Sequence, residues 1–387
     1  MNHTVSPPPY RADIDGLRAL SVILIVVFHA NNAWIPGGFI GVDIFFVISG
    51  YLITQILLRE QRAGQFSILR FYARRVRRIF PALVIMLVTV LIAGWFLLLP
   101  EEYKQVGKHT GGAAVFSSNF MLKKESGYFD TLSDLKPLLH LWSLAVEEQF
   151  YLIWPWLLWL ALKTQRFGWT ALFVLSITSL LYAILRTPIA EENCFFLLPA
   201  RFWELAVGGL LAHAQLRQFR FPGIGAWVGL ALITIAAATL DRTLPFPGWR
   251  AILPVFGAAL LLGSYSPFIH QRLLGHPWAA SIGRISYPLY LWHWPLFAFA
   301  RIVVGQGPSN ALMLALIALS FLLAWVTMRY IEAPIRFGSL RNRPVILPLI
   351  LALAALGVIG NIIDNGRGLP ATRSIRNHLF NYLIRVE

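Results

Sequence analysis

The sequence predicts an all-α, polytopic membrane protein. Three observations carry that expectation. The 387 residues are 57% hydrophobic and only 13% charged, with a mean hydropathy of +0.63, whereas a soluble domain is about a quarter charged. Apolar runs long enough to cross a bilayer, about 20 residues each, recur along the whole chain. Lysine and arginine gather in the short segments between those runs, the pattern that orients spans in a membrane.

Eleven spans are expected. The first covers 15–33, in "DIDGLRALSVILIVVFHANNAW", and the second 38–58, with Pro36, Gly37 and Gly38 as the tight turn between them. The third, 78–99, follows the basic stretch "LRFYARRVRRIFPAL". A mixed-charge stretch then separates it from the fourth, 138–162, which carries Glu147 and Glu148. The fifth and sixth cover 168–186 and 196–214, the latter with Arg201 and Glu204. The remaining five lie at 222–240, 250–267, 279–303, 309–331 and 344–363, and from 364 the chain turns polar. With the N-terminus in the cytoplasm, the inner segments hold 18 lysines and arginines and the outer loops nine. That bias predicts a cytoplasmic N-terminus and, after eleven spans, a periplasmic C-terminal tail.

The net charge of +15 is absorbed by this topology. No basic stripe interleaved with aromatics is present, so nucleic acid is not an expected partner. One cysteine, Cys194, excludes an intrachain disulfide and a thiolate metal cluster. The imidazoles lack ligand-like spacing, so no metal is expected, and no cleavable signal is expected either.

Ionisable groups inside a span are costly. Arg18 and His29 lie within about 20° of one helix face and about 16 Å apart along the axis. Arg18 thus sits near the inner surface and His29 toward the outer half. An arginine there also serves as a snorkelling anchor, and a buried imidazole often only joins two helices. Asp43, at matching depth in the second span, would fix the tautomer of His29 and raise its basicity, as a general base requires. Before the third span, Arg74 and Arg77, or Arg75 and Arg78, share a helix face; paired guanidiniums suit phosphates, a topological signal, or anionic lipid. Glu147 and Glu148 sit in mid-span, with Arg201 or Arg284 as expected partners, and Glu204 and His293 add to the interior charge. Together they favour a cavity over a solid apolar bundle. A transporter of lipid-linked sugars or small acids fits such charges too, but no internal repeat supports it. A non-catalytic assembly subunit is a further possibility.

The motifs "DGLRAL…FHA", "GGFIGVDIFFVISGYLI", "FYARRVRRIFPAL", "LWSLAVEEQFYLIWP" and "ISYPLYLWHWP", in that order, resemble membrane acyltransferase family 3. That group contains bacterial O-antigen and peptidoglycan O-acetyltransferases. The resemblance covers roughly 10–340. It implies a ten-span acyltransferase bundle over 1–340, an added span at 341–363, and a tail or linker at 364–387. It implies a bacterial inner-membrane enzyme that passes an acyl group, usually acetyl, from cytosolic acyl-CoA to a hydroxyl of a surface glycan such as lipopolysaccharide O-antigen, or to a lipid-linked sugar. Arg18 and His29 match the family's first-span Arg and His. Both Arg-x-x-Arg pairs match its third-span motif, so Arg18, Arg74, Arg75, Arg77 and Arg78 are the expected donor-binding set. His29, Asp43 and Glu148 are the expected catalytic set. Trp142, Ser143, Glu147, Tyr287 and His293 are expected to line the cavity. The acceptor hydroxyl attacks the thioester directly, or His29 carries a transient acyl group. Some relatives fuse an SGNH hydrolase-like domain beyond an eleventh span, and such a domain is an expected partner.

Overall fold

The computed structural model describes residues 10–125, 133–217, 220–305, 307–340 and 343–370. Most of the expected tail, 371–387, lies outside them. The helices, in chain order, are α1 (Ala12–Ala30), α2 (Gly41–Arg62), α3 (Ile68–Leu97), α4 (Pro100–Ala114), α5 (Ser118–Glu125), α6 (Leu141–Thr164), α7 (Arg166–Arg186) and α8 (Glu191–Phe196). They continue with α9 (Leu198–Leu216), α10 (Ile224–Thr239), α11 (Ile252–Gly263), α12 (Pro277–Arg284), α13 (Ser286–Val304), α14 (Asn310–Thr327), α15 (Ala333–Arg336) and α16 (Ile346–Asn365). Among the described residues there is no strand, as the all-α expectation requires.

Six segments are long and apolar enough to span a membrane: Gly38–Arg62, Ile68–Leu97, Arg166–Arg186, Glu191–Gln215, Asn310–Arg336 and Ile346–Asn365. Two shorter apolar segments, Ile224–Thr239 and Gly248–Gly263, accompany them. The chain is a multi-pass membrane protein. Of the eleven expected spans, α1 and α6 form helices at the expected places but carry ionisable residues, Asp13, Asp15 and Arg18 in one and Glu147 and Glu148 in the other. The stretch after the third span, expected only as a mixed-charge connection, folds into α4 and α5. Pro100 and the acidic pair Glu101 and Glu102 open α4, complementing the positive end of the helix dipole.

The chain forms two compact units, 1–70 with 146–290, and 71–145 with 291–387. In the first, α2 packs along α9, α1 along α12, and α10 along α11. Small residues let these backbones approach. A Cβ on Gly50 would collide with the Leu205 carbonyl oxygen, and one on Gly208 with that of Val47. Trp154 Nε1 donates to Thr54 Oγ1 at 2.7 Å, tying α6 to α2. Gly50→Leu is therefore expected to separate α2 from α9. The cost is at least the 1–3 kcal/mol typical of overpacking, read as lost thermal stability in detergent; unchanged melting would refute this contact.

In the second unit, α4 packs along α16, where Gly107 approaches Gly360 and Ile363. Trp292 Nε1 donates to Thr327 Oγ1 at 2.9 Å, joining α13 to α14. Outside the apolar spans, Glu125 gathers two lysines and a histidine. Lys108 Nζ lies 2.6 Å from Oε1. His109 Nε2 and Lys136 Nζ lie 2.8 and 3.4 Å from Oε2. Burial alone would raise the Glu125 carboxyl, but the hydrogen bonds and charges of His109 and Lys108 outweigh it and bring its pKa to about 2. A carboxyl depressed below its ordinary 4.5 contributes stability above that value, and the contribution is lost as pH falls toward about 2. Glu125→Gln is expected to melt below the parent at pH 7, with the gap closing between pH 4.5 and 2. A gap independent of pH would refute the ion-pair origin.

Candidate functional site

Within the first unit, α1 presents both of its expected residues. Arg18, partly buried, donates from Nη1 to Asp15 Oδ1 at 3.1 Å. The i, i+3 pairing is local, so it fixes the guanidinium near the helix start. His29 is the penultimate residue of α1 and partly buried. Its ring lies 5.3 Å from the Phe28 ring, over which the Arg242 guanidinium stacks at 4.7 Å. The turn before α2 closes where expected, with a 3₁₀ segment at Gly38–Ile40. It is held by Gly37 N donating to Ala237 O at 3.0 Å.

Asp43 pairs differently from the expectation. Its Oδ1 accepts from Arg201 Nη1 at 2.8 Å, and the same nitrogen lies 2.8 Å from Glu204 Oε1. All three side chains are at most 1% exposed. Arg201 Nε donates to the Phe195 carbonyl at 3.2 Å, and the guanidinium lies over the rings of Phe195 and Phe246 at 5.3 and 5.2 Å. This cluster joins α2 to α9 and occupies the arginine that the sequence pattern offered to Glu147 or Glu148. Arg201 and Glu204 stand at i, i+3 on α9, which places them on one helix face.

Glu147 instead accepts from Ser49 Oγ at 2.6 Å and from the Tyr151 hydroxyl. Two hydroxyls satisfy it, with no counter-ion among the described residues. Arg284, the other expected partner, donates to Ser281 Oγ at 2.7 Å and reaches the Tyr10 hydroxyl at 3.4 Å. Glu148 and Tyr287 are both partly buried. Thus Arg18, His29, Asp43, Glu147, Glu148 and Tyr287 belong to one unit, as do Arg201 and Glu204.

The second unit holds the remaining expected residues. Arg74, Arg75, Arg77 and Arg78 lie on the first half of α3, each partly buried. Arg77 Nη2 donates to the Arg343 carbonyl at 3.4 Å. Arg336, paired with Glu332 at 3.0 Å, lies within electrostatic reach of Arg78 and Arg75. The geometry favours neither overlapping Arg-x-x-Arg pair. Trp142, Ser143 and His293 are buried. The His293 ring stands edge-on to His140 at 5.8 Å, and Ser143 Oγ donates to the His140 carbonyl at 3.3 Å. His140 was not singled out from the sequence, although it directly precedes the motif "LWSLAVEEQF"; it is 2% exposed. Trp294 Nε1 donates to the Lys136 carbonyl at 2.8 Å and anchors the middle of α13.

The description of an acyltransferase domain, acyltransferase family 3, matches residues 11–329. The O-acetyltransferase OatA of Staphylococcus aureus is 33% identical over 351 residues, covering 85% of this chain and 58% of its own length. The peptidoglycan O-acetyltransferase OatA of Listeria monocytogenes is 32% identical over 354 residues, covering 86% of this chain and 57% of its own. The chain thus spans less than two thirds of these relatives. No solved structure matches it.

Proposed function

The chain belongs to acyltransferase family 3, and from that membership we propose that it transfers an acyl group, acetyl foremost, from cytosolic acyl-CoA to a hydroxyl of a cell-surface glycan. The observation that carries this reading is the pairing on α1 of Arg18, held by Asp15, with His29 about 16 Å further along the axis. His29 acts as general base. It takes the proton of the acceptor hydroxyl, the oxygen attacks the thioester carbonyl, and the carbon–sulfur bond breaks. The thiolate of coenzyme A leaves and is protonated. Arg18 and one of the pairs Arg74/Arg77 or Arg75/Arg78 bind donor phosphates through charge-assisted bonds. Glu148, Glu147, Trp142, Ser143, Tyr287 and His293 shape the path of the acyl group. Asp43 acts through Arg201, holding α2 and α9 in place.

We place the protein in the bacterial cytoplasmic membrane with its N-terminus inside and its C-terminus outside. Acyl delivery to the finished glycan uses an SGNH-type extracytoplasmic domain as partner. The name of the Listeria relative makes peptidoglycan the first acceptor to test, with lipopolysaccharide O-antigen as the second.

Mass spectrometry of surface glycans from cells with and without the protein tests this reading. Acetyl esters that disappear with the gene are the expected result, and unchanged acetylation on both glycans refutes it. Replacing Arg74 and Arg77 by glutamine is expected to weaken acetyl-CoA binding at least tenfold, the loss of a charge-assisted contact. If affinity is unchanged while the Arg75/Arg78 change weakens it, the second pair holds the donor.

A further inference from the structure

A cleft of about 1130 Å³ opens in the first unit where the start of α1 meets the end of α2. None of its basic residues belongs to the donor-binding set described above. Its walls carry three guanidiniums, from Arg11, Arg59 and Arg220, and the rings of Tyr10 and Tyr265. The carboxylates in the wall are already engaged. Asp13 grips Arg11, with Nη2 to Oδ2 at 2.6 Å, and Asp15 accepts from Tyr10 at 2.6 Å and from Arg18 at 3.1 Å. His270 is engaged too, Nε2 lying 2.8 Å from the Leu261 carbonyl. Among the described residues neither Arg59 nor Arg220 has an ion pair. The floor is built: Gln55 Nε2 donates to the Tyr51 hydroxyl at 2.6 Å, that hydroxyl to Gln215 Oε1 at 2.5 Å, and Gln215 Nε2 to the Leu262 carbonyl at 2.8 Å.

The cleft is large enough for a nucleotide-sized ligand. Uncommitted guanidiniums select phosphates, exposed tyrosine rings offer stacking faces for a base, and amide groups at the floor offer donors and acceptors to its edge. Asp15 in this cleft and His29 share α1, at a separation of about 21 Å by helical rise, the stretch that an extended pantetheine arm must cover.

We propose that this cleft binds the adenosine 3′-phosphate end of acyl-CoA, with Arg59 and Arg220 on the 3′-phosphate and Tyr10 and Tyr265 against its base, while the diphosphate stays with the donor-binding arginines named above. The proposal rests on acyl-CoA being the donor.

Equilibrium binding of labelled acetyl-CoA to the full chain in lipid nanodiscs tests it, with adenosine 3′,5′-bisphosphate as competitor. Arg59→Gln with Arg220→Gln is expected to weaken acetyl-CoA about tenfold or more. Arg59→Lys with Arg220→Lys, which keeps the charge and the topology signal, is expected to lose less than half that factor. The bisphosphate is expected to compete in the parent and far more weakly in the glutamine variant. If the parent binds acetyl-CoA and the glutamine variant binds it equally, the cleft is not the site, and the donor reading stands. If the parent binds no acetyl-CoA, the donor reading and this proposal fall together.

Discussion

His29→Ala is expected to lower glycan acylation by a factor of about 100 to 10,000, the range that a positioned general base contributes, while the protein still inserts and folds. Position 29 is partly buried at the end of α1. The helix is held by contacts elsewhere along its length, among them the close approach of Gly16 to Leu274. Truncating the imidazole therefore removes chemistry before it removes structure. His29→Gln retains polarity without the basic nitrogen and is expected to be equally inactive. Acylation of labelled glycan in membranes, compared at equal protein level, is the measurement. Activity within a few-fold of the parent in either variant would remove His29 from the reaction.

The second large effect is structural. Arg201→Met leaves the buried carboxylates of Asp43 and Glu204 (1% and 0% exposed) without their cation. Breaking a buried ionic cluster in this way costs about 3–5 kcal/mol. The expected result is loss of monodisperse protein in detergent and a sharply lower melting temperature. Arg201→Lys is expected to rescue only part, because an ammonium cannot reproduce the fork that meets Asp43, Glu204 and the Phe195 carbonyl together. Adding Asp43→Asn and Glu204→Gln to the methionine variant removes the stranded charges and is expected to recover stability. A triple variant no more stable than Arg201→Met would show that packing over Phe195 and Phe246, rather than charge, accounts for the loss.

What could be read from the chain followed from local rules. Apolar runs, the Pro36–Gly38 turn and the arginine cluster are near-neighbour patterns, and each reappears as a helix, a turn or one basic helix face. The five motifs identified the family because their order is specific. Partners far apart in sequence were not legible. Asp43 meets Arg201 across 158 positions, and nothing in either local pattern distinguishes that pairing from Asp43 with His29. Glu147 finds the hydroxyls of Ser49 and Tyr151, which charge matching alone overlooks. The helices α4 and α5 were hidden because their faces mix charges and glycines rather than presenting one apolar stripe, and the Glu125 cluster came with them. The cleft of Arg11, Arg59 and Arg220 brings together the residue before α1, the last turn of α2 and the connection before α10, which carried only an orientation signal when read singly.

The most direct measurement is transfer across a sealed membrane. The purified chain is reconstituted into vesicles loaded with labelled acetyl-CoA, with glycan acceptor and an SGNH-type domain supplied outside. The expected result is label bound as ester to the external glycan, dependent on His29 and abolished when the donor is left out of the lumen. Label that stays on internal coenzyme A, or that appears equally on glycan with His29→Ala protein, would contradict acyl transfer by this bundle.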